Sequence, residues 1–343
     1  MTELIIINQD TPGALALAGQ AANRAAASGV FADYQDRKAA NTLRRQEADL
    51  ALFRSFLKTA GIHTGDLAND PEAWRGMTWG LVAAFQRWQL DQGYSVDTIN
   101  VHLSSVKVYA RLAMQAGTIT AETAALIRSV NGYSRKEALR VNEKRTENDI
   151  PTRRGYKKAE AVHIPRDLAR RLKQQPDTPQ GRRDALLMCL LLDHGLRAGE
   201  VNILEGNHFD LKSGELRFYR PKVNKEQTHR LTDDTLRAAR AYIEGGEAPA
   251  IGSIWRTSRK NGQLEGQGMN ERTLTERVRS MGEAVGLQGL SCHDCRHYWA
   301  TQAARNGTDP FSLQEAGGWS SLAMPRRYVE AGLIANAGVN LGL

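Results

Sequence analysis

The sequence predicts a mainly α-helical protein in two units, the second carrying a small antiparallel β-sheet. Three observations predict it. Apolar residues recur at helical spacing through four segments before residue 131, and the stretch from Arg182 to His194 is apolar nearly all round. Two short alternating runs, Glu215–Tyr219 and Gln227–Leu231, flank a turn-forming stretch beginning Arg220-Pro221-Lys222. A chain of 343 residues has room for about two domains. Its 41% hydrophobic and 24% charged content is that of an ordinary globular protein.

The elements follow in order. Residues 1–30 are rich in Ala and Gly without a strong period, which predicts a flexible start. From Asp36 to about Ala60, Leu43, Leu50, Phe53 and Leu57 share one helical face. A second helix is expected over Trp79–Gln92, stopped by Gly93. Ser95 and Asp97 precede a third over Thr98–Gln115, with Ile99, Leu103, Val106, Tyr109 and Leu112 as its apolar stripe. Ala121–Val130 completes an all-helical unit over 31–134. Residues 135–160 read as a basic linker: nine basic residues against four acidic lie between Gly132 and Lys158. Such a stretch is either a solvated connector or one that tracks a phosphate backbone. Pro165 then opens a helix, Gly195 ends the buried one, and the remainder from Met269 is mostly helical, giving a second unit over 161–343.

Composition narrows the function. Basic residues exceed acidic by 46 to 38, a formal charge of +8, which favours a polyanionic partner. The longest apolar run falls far short of the ~20 residues of a membrane helix, and Leu4–Ile7 is too short for a signal peptide. Three cysteines make no complete disulfide framework, so a cytoplasmic location is expected, with no membrane partner. Cys292-x-x-Cys295 lacks a second ligand pair, and Cys189 lies about a hundred residues upstream, so structural thiols are expected in place of a metal site. No G-x-x-x-x-G-K-[ST] loop is present, and no cofactor is implied.

Several polar groups stand out against this background. Arg197 and Glu200 lie three apart after the buried helix, close enough to pair. His293, Arg296 and His297 share a helical face, and Gly317-Gly318-Trp319-Ser320-Ser321 is followed by Tyr328. In this order the motifs Gly-Leu-Arg-x-x-Glu, a hairpin lysine, His-x-x-Arg-His, Gly-Gly-Trp-Ser-Ser and a final Tyr resemble the tyrosine recombinase (phage integrase) family. The resemblance covers about residues 160–330, and more loosely the helical first unit.

The resemblance implies a two-domain, C-shaped DNA clamp and a site-specific recombinase that passes through a 3′-phosphotyrosyl intermediate. It makes Arg197, His293 and Arg296 the phosphate-binding residues, Lys222 the hairpin lysine and Tyr328 the nucleophile. Trp319 falls where many members carry a second histidine, and tryptophan there is similar to the Cre recombinase. Lys225 is the rival for the lysine role. The expected partner is double-stranded DNA with inverted-repeat half-sites. The expected assembly is a homotetramer on two synapsed duplexes, with the apolar tail Ala331–Leu343 docking either on a neighbour or on its own domain. In a prokaryote the protein would be nucleoid-associated.

The residue types suit that chemistry. A free phenol has a pKa near 10, so about one in a thousand is ionised at pH 7; His293 is the candidate to take its proton. Two arginines can fork onto the charged phosphate oxygens, and Trp319 can add one indole N–H. Lysine can protonate the leaving 5′-oxygen where arginine cannot. Glu200 is expected to hold Arg197 or the histidine. Further DNA contacts are expected from Lys107, Arg111, Arg153, Arg154 and Lys225. Lys107 and Arg111 share the polar side of the third helix with Asn100, His102, Ser104 and Ser105, a side that either enters a groove or faces solvent. A type IB topoisomerase and a non-catalytic DNA-binding protein are the alternatives. Gly-Gly-Trp-Ser-Ser and the apolar tail speak against the first, and the complete polar set against the second.

Overall fold

The computed structural model describes residues 13–150, 161–259, 261–266 and 268–330. The chain forms two compact units, Met1–Lys157 and Lys158–Leu343. Arg153, Arg154 and the tail Ala331–Leu343 lie outside the described residues.

The first unit is built from helices α1 (Ala14–Asp36), α2 (Ala40–Thr59), α3 (Trp79–Asp91), α4 (Val96–Gln115), α5 (Ala121–Ser129) and α6 (Arg135–Glu147). Side-chain caps at Thr78, Ser95 and Thr120 start α3, α4 and α5 by accepting backbone N–H groups that lack a helical partner. The apolar stripe of α4 (Leu103, Val106, Tyr109 and Leu112) packs into a core with Phe53, Trp74 and Phe85.

Two expectations are corrected here. The start is a helix from Ala14 onward, because alanine-rich sequence has high helix propensity whatever its period. Its pattern is invisible because Phe31 is its one buried residue. The first half of the stretch expected as a linker is α6, opened by a reciprocal cap between Ser134 and Glu137. Arg145 anchors it, donating to the carbonyls of Leu90 (2.5 Å) and Tyr94 (2.9 Å). Two of the nine basic residues are thus helix-end charges, and one of those is buried.

The second unit begins with α7 (Arg166–Lys173), the buried α8 (Pro179–Asp193) and the short α9 (Ala198–Asn202). A three-stranded antiparallel sheet follows: β1 (Phe209–Asp210), β2 (Glu215–Arg220) and β3 (Lys225–Arg230), in that spatial order. The β2–β3 register pairs Arg220 with Lys225, leaving a four-residue turn that carries Lys222. After α10 (Asp233–Ala239) come a two-stranded ribbon, β4 (Thr257–Ser258) with β5 (Leu264–Glu265), and helices α11 (Glu271–Ala284), α12 (Cys292–Arg305), α13 (Pro310–Gly317) and α14 (Ala323–Glu330). The leucines of α8 pack with Phe218, Trp255 and Leu274. A small cluster of Ala300, Leu313 and Tyr328, flanked by Trp299, Trp319 and Met324, joins α12, α13 and α14. Among the described residues no helix is long and apolar enough to cross a membrane.

Candidate active site

Five segments of the second unit converge on one site. Gly195 turns the chain out of α8 with φ +60°, and a Cβ there would sit 2.3 Å from the Trp299 ring, so only glycine fits. This turn places Arg197 at the start of α9. Glu200, buried, takes the Arg197 backbone N–H on Oε2 (2.9 Å) and the Arg197 guanidinium on Oε1 (2.6 Å). The remaining edge of Arg197 reaches the Gly318 carbonyl (3.1 Å), and its side chain stays 25% exposed.

Arg296 projects inward from α12. It donates to the carbonyls of Gly195 (2.6 Å) and Gly317 (2.5 Å), and lies 4.3 Å from the centre of the Trp319 ring. Trp319 in turn lies against Tyr328, with ring centres 5.9 Å apart. Arg197, Glu200, Arg296, Trp319 and Tyr328 are therefore brought together, and His293 joins them through its neighbour His297.

A third arginine was missed. Arg220, the last residue of β2, is fully buried and donates to Glu200 Oε2 (2.7 Å) and to the Ala316 carbonyl (2.7 Å), and through Nε to Gln227. Gly318 has φ +58°, and a Cβ on it would meet Arg220 Cδ at 2.6 Å, so the turn that presents Trp319 needs glycine for both reasons. The signal was present: strand alternation puts Arg220 on the inward face with Leu216 and Phe218.

The hairpin lysines have separate fates. Lys222 is exposed at the turn, two residues before Asn224, which has a left-handed backbone and whose Oδ1 accepts the Tyr219 hydroxyl (2.6 Å). Lys225 is ion-paired with Glu315 of α13, and Gln227 donates to the Glu315 carbonyl (2.6 Å), so β3 is fastened to the helix that ends at the site.

The phenol's direct partner is also corrected. Tyr328 Oη bonds His297 Nδ1 at 2.9 Å, and His297 Nε2 bonds His293 Nε2 at 3.0 Å. One helical turn separates the two histidines, and the inner of them faces α14; His293 stands one hydrogen bond further out, exposed.

The electrostatics favour an anion. Glu200 pairs with Arg197 and Arg220, whereas Arg296 is held by backbone carbonyls, so among these four side chains positive charge exceeds negative. Burial, then the like charges of Arg197 and Arg220, push the Arg296 pKa down against the pull of Glu200. Burial pushes Tyr328 up, against Arg296 and Arg327, so the resting phenol keeps its proton. Burial, His293 and the two nearby arginines hold His297 low and neutral.

Other expected residues resolve differently. Lys107 and Arg111 line a cavity of about 690 Å³ between α4 and α5 together with Arg128. Burial and Arg128 lower the Lys107 pKa. Much of the polar side of α4 is internal instead: Ser105 donates to Asp49 (2.5 Å), His102 bonds Gln89 (2.5 Å), and Asn100 donates to the Tyr133 carbonyl (2.8 Å). Packing of α4 against α2, α3 and the chain before α6 uses those groups. Cys189, Cys292 and Cys295 are buried and form no disulfide with one another, and burial pushes Cys292 up to about 11 and Cys189 up to about 12. Among the described residues no three His, Cys, Asp or Glu side chains gather as a metal cage.

Comparison with known proteins bears on the family and the fold. Residues 163–332 match the phage integrase family. The tyrosine recombinase XerD of Rhizobium meliloti is 24% identical over 294 residues, covering 84% of this chain and 85% of that protein. XerC of Chlamydia muridarum is 24% identical over 317 residues, covering 89% and 93%. Among solved structures, a lambda integrase dimer bound to a core site shares the fold with TM-score 0.59 and 16% identity, covering 87% of this chain and 92% of that one. The Tn1549 transposon integrase does so with TM-score 0.58 and 14% identity, covering 88% and 94%. Motif order, fold and relatives agree: the chain belongs to the phage integrase family of tyrosine recombinases.

Proposed function

We propose that this tyrosine recombinase cuts and rejoins DNA at a specific core site through a 3′-phosphotyrosyl bond at Tyr328. Arg197 and Arg296 bind the non-bridging oxygens of the scissile phosphate, and the Trp319 indole N–H adds a further donor. Lys222 swings in on its turn to protonate the leaving 5′-oxygen, and Glu200 positions Arg197. One observation carries the reading: a buried tyrosine and its imidazole partner lie beside guanidinium groups whose charge is only partly neutralised. Bound phosphodiester would supply the missing negative charge, and the tyrosyl ester conserves the bond energy for rejoining.

Residues 31–134 act as the core-binding unit and 161–343 as the catalytic unit, with the tail docking on a neighbouring protomer. Lys107, Arg111 and Arg128 line one cavity that has no carboxylate among its lining residues, which suits a DNA phosphate. Arg153 and Arg154 contribute further phosphate contacts. Lys225 belongs to the fastening of the hairpin, since Glu315 engages it. A homotetramer on two synapsed duplexes with inverted half-sites fits this reading; the fold is also shared by a lambda integrase tetramer bound to a Holliday junction, TM-score 0.56. The compartment is the cytoplasm, at the nucleoid of a prokaryotic host.

The test uses a nicked suicide duplex built on the core site that the wild-type protein captures covalently from a randomised duplex pool. The wild type forms a denaturation-resistant adduct; Tyr328→Phe binds the duplex and forms none. Lys222→Ala cleaves slowly, and recovers when sulfur replaces the 5′-bridging oxygen, because thiolate leaves without a proton. An adduct in Tyr328→Phe removes the nucleophile, and recovery in Lys225→Ala alone transfers the acid role to Lys225.

A further inference from the structure

Tyr328 Oη, His297 and His293 form an unbroken line of hydrogen bonds from the buried phenol to the exposed edge of α12, at 2.9 Å and 3.0 Å. The phenol lies on His297 Nδ1, and in the tautomer that bears its proton on Nε2 the O–H donates and Nδ1 accepts. His297 then carries its own proton on Nε2 and donates it to His293 Nε2, which leaves the His293 proton on Nδ1.

We infer that His297 is a catalytic residue that takes the Tyr328 proton on Nδ1 while passing its Nε2 proton to His293, so that the two imidazoles relay the nucleophile's proton outward. The inference rests on the proposed role of Tyr328. As the phenolic oxygen bonds to phosphorus, its O–H proton moves to His297 Nδ1 and the His297 Nε2 proton moves to His293 Nε2. The P–O5′ bond breaks, and the leaving oxygen takes its proton from the Lys222 ammonium. The products are the tyrosyl phosphodiester, a DNA 5′-hydroxyl, a neutral lysine and a His293 imidazolium; religation runs the same transfers backward.

Surroundings explain why the proton moves on. His297 faces Tyr328 and Arg327 from α14, and His293, Asp294 and Arg296 on its own helix. Burial, the neighbouring His293 and two guanidinium groups disfavour an imidazolium at His297 against the pull of Asp294. Asp294 is occupied: its oxygens accept the Val162 N–H (3.0 Å), the Ser291 N–H (2.8 Å) and the Ser291 hydroxyl (2.7 Å). His293 is exposed, so a charge there is screened by solvent.

The same suicide duplex tests this under single turnover between pH 6 and 9.5. His297→Ala and His297→Asn are compared, since Asn keeps an acceptor for the phenol but cannot pass a proton through. Both are expected to cleave at least about 100-fold more slowly at pH 7. Their rates should climb about tenfold per pH unit as the phenol ionises unaided, while the wild type stays flat above neutrality. His293→Gln should show the same slope. Wild-type rates in His297→Asn would reduce His297 to a seat for the phenol, and faster cleavage in His297→Ala would make it a resting latch; either overturns the relay. Adduct formation by Tyr328→Phe would instead remove the nucleophile assignment beneath it. Melting curves of both His297 variants confirm folding, and the Asn variant carries the test if the Ala variant does not fold.

Discussion

Two charged clusters in the second unit look alike in composition and differ in balance. In the first, Lys173 of α7 bridges Asp193 (3.1 Å) and Asp234 (2.6 Å), and Arg237 also pairs with Asp234. Two cations meet two carboxylates, and the Thr232 hydroxyl takes up the other Asp193 oxygen (2.9 Å). In the second, Arg197 and Arg220 pair with Glu200 while Arg296 is held by the carbonyls of Gly195 and Gly317, and further N–H groups of Arg197 and Arg220 rest on carbonyls of Gly318 and Ala316. A cavity of about 530 Å³ borders the balanced cluster. Size of a hollow therefore does not locate the chemistry here; unmatched charge does. Balanced ion pairs hold α7, α8 and α10 together, whereas an unbalanced set stays poised for an anion that the protein does not itself supply.

The widest separation between the clusters is expected in catalysis. Arg197→Ala should slow cleavage by about 10²–10³-fold, the usual loss when a preorganised donor to developing charge is removed. Its melting temperature should change little, because the side chain is partly exposed. Lys173→Met should leave the cleavage rate within about twofold. An equal loss of rate in both variants would erase the distinction.

Acid should act on the balanced side. His194, buried and bonded to Thr235 (3.1 Å), is pushed down to about 4 by burial and by Lys173; His229 is pushed down to about 3 by burial, then by His194 and Arg220. Both are lowered in the folded state, so the unfolded chain binds more protons between about pH 6.5 and those values. Their contribution is complete above about pH 6.5 and is lost as pH falls. For His194 the loss reaches about 3 kcal/mol by pH 4. Urea unfolding at pH 7 and pH 4.5 should show the decline, with His194→Asn removing about half of it; identical slopes in both proteins would contradict the assignment. The smallest effect is the ion pair itself. Lys173→Met leaves Asp193 and Asp234 short of a partner, and should cost about 2 kcal/mol in the same unfolding experiment.

Much of this arrangement was legible in the chain. The helices α2 to α5 announce themselves by spacing, and strand alternation marks β2. Two helices were hidden for opposite reasons: α1 by alanine on every face, and α6 by a charge excess that masks both a cap at Ser134 and the burial of Arg145. At the site, motif order identified residues that the fold does assemble around Arg197, Arg296 and Tyr328. It could not say which histidine touches the phenol, because His293 and His297 share a face and only the placement of α14 decides between them. Arg220 hid in Arg-Pro-Lys, which reads as a basic turn until the inward register of β2 is considered. Half of the polar side of α4 proved internal for the same reason: a polar residue's partner lies in another helix.

The central claim is that Tyr328 itself becomes joined to DNA, and mass spectrometry of the trapped adduct tests it most directly. After nuclease and protease digestion, the peptide containing Tyr328 should carry a nucleotide linked through its 3′-phosphate. The same nucleotide found on any other residue, or no modified peptide from an adduct that survives denaturation, would contradict it.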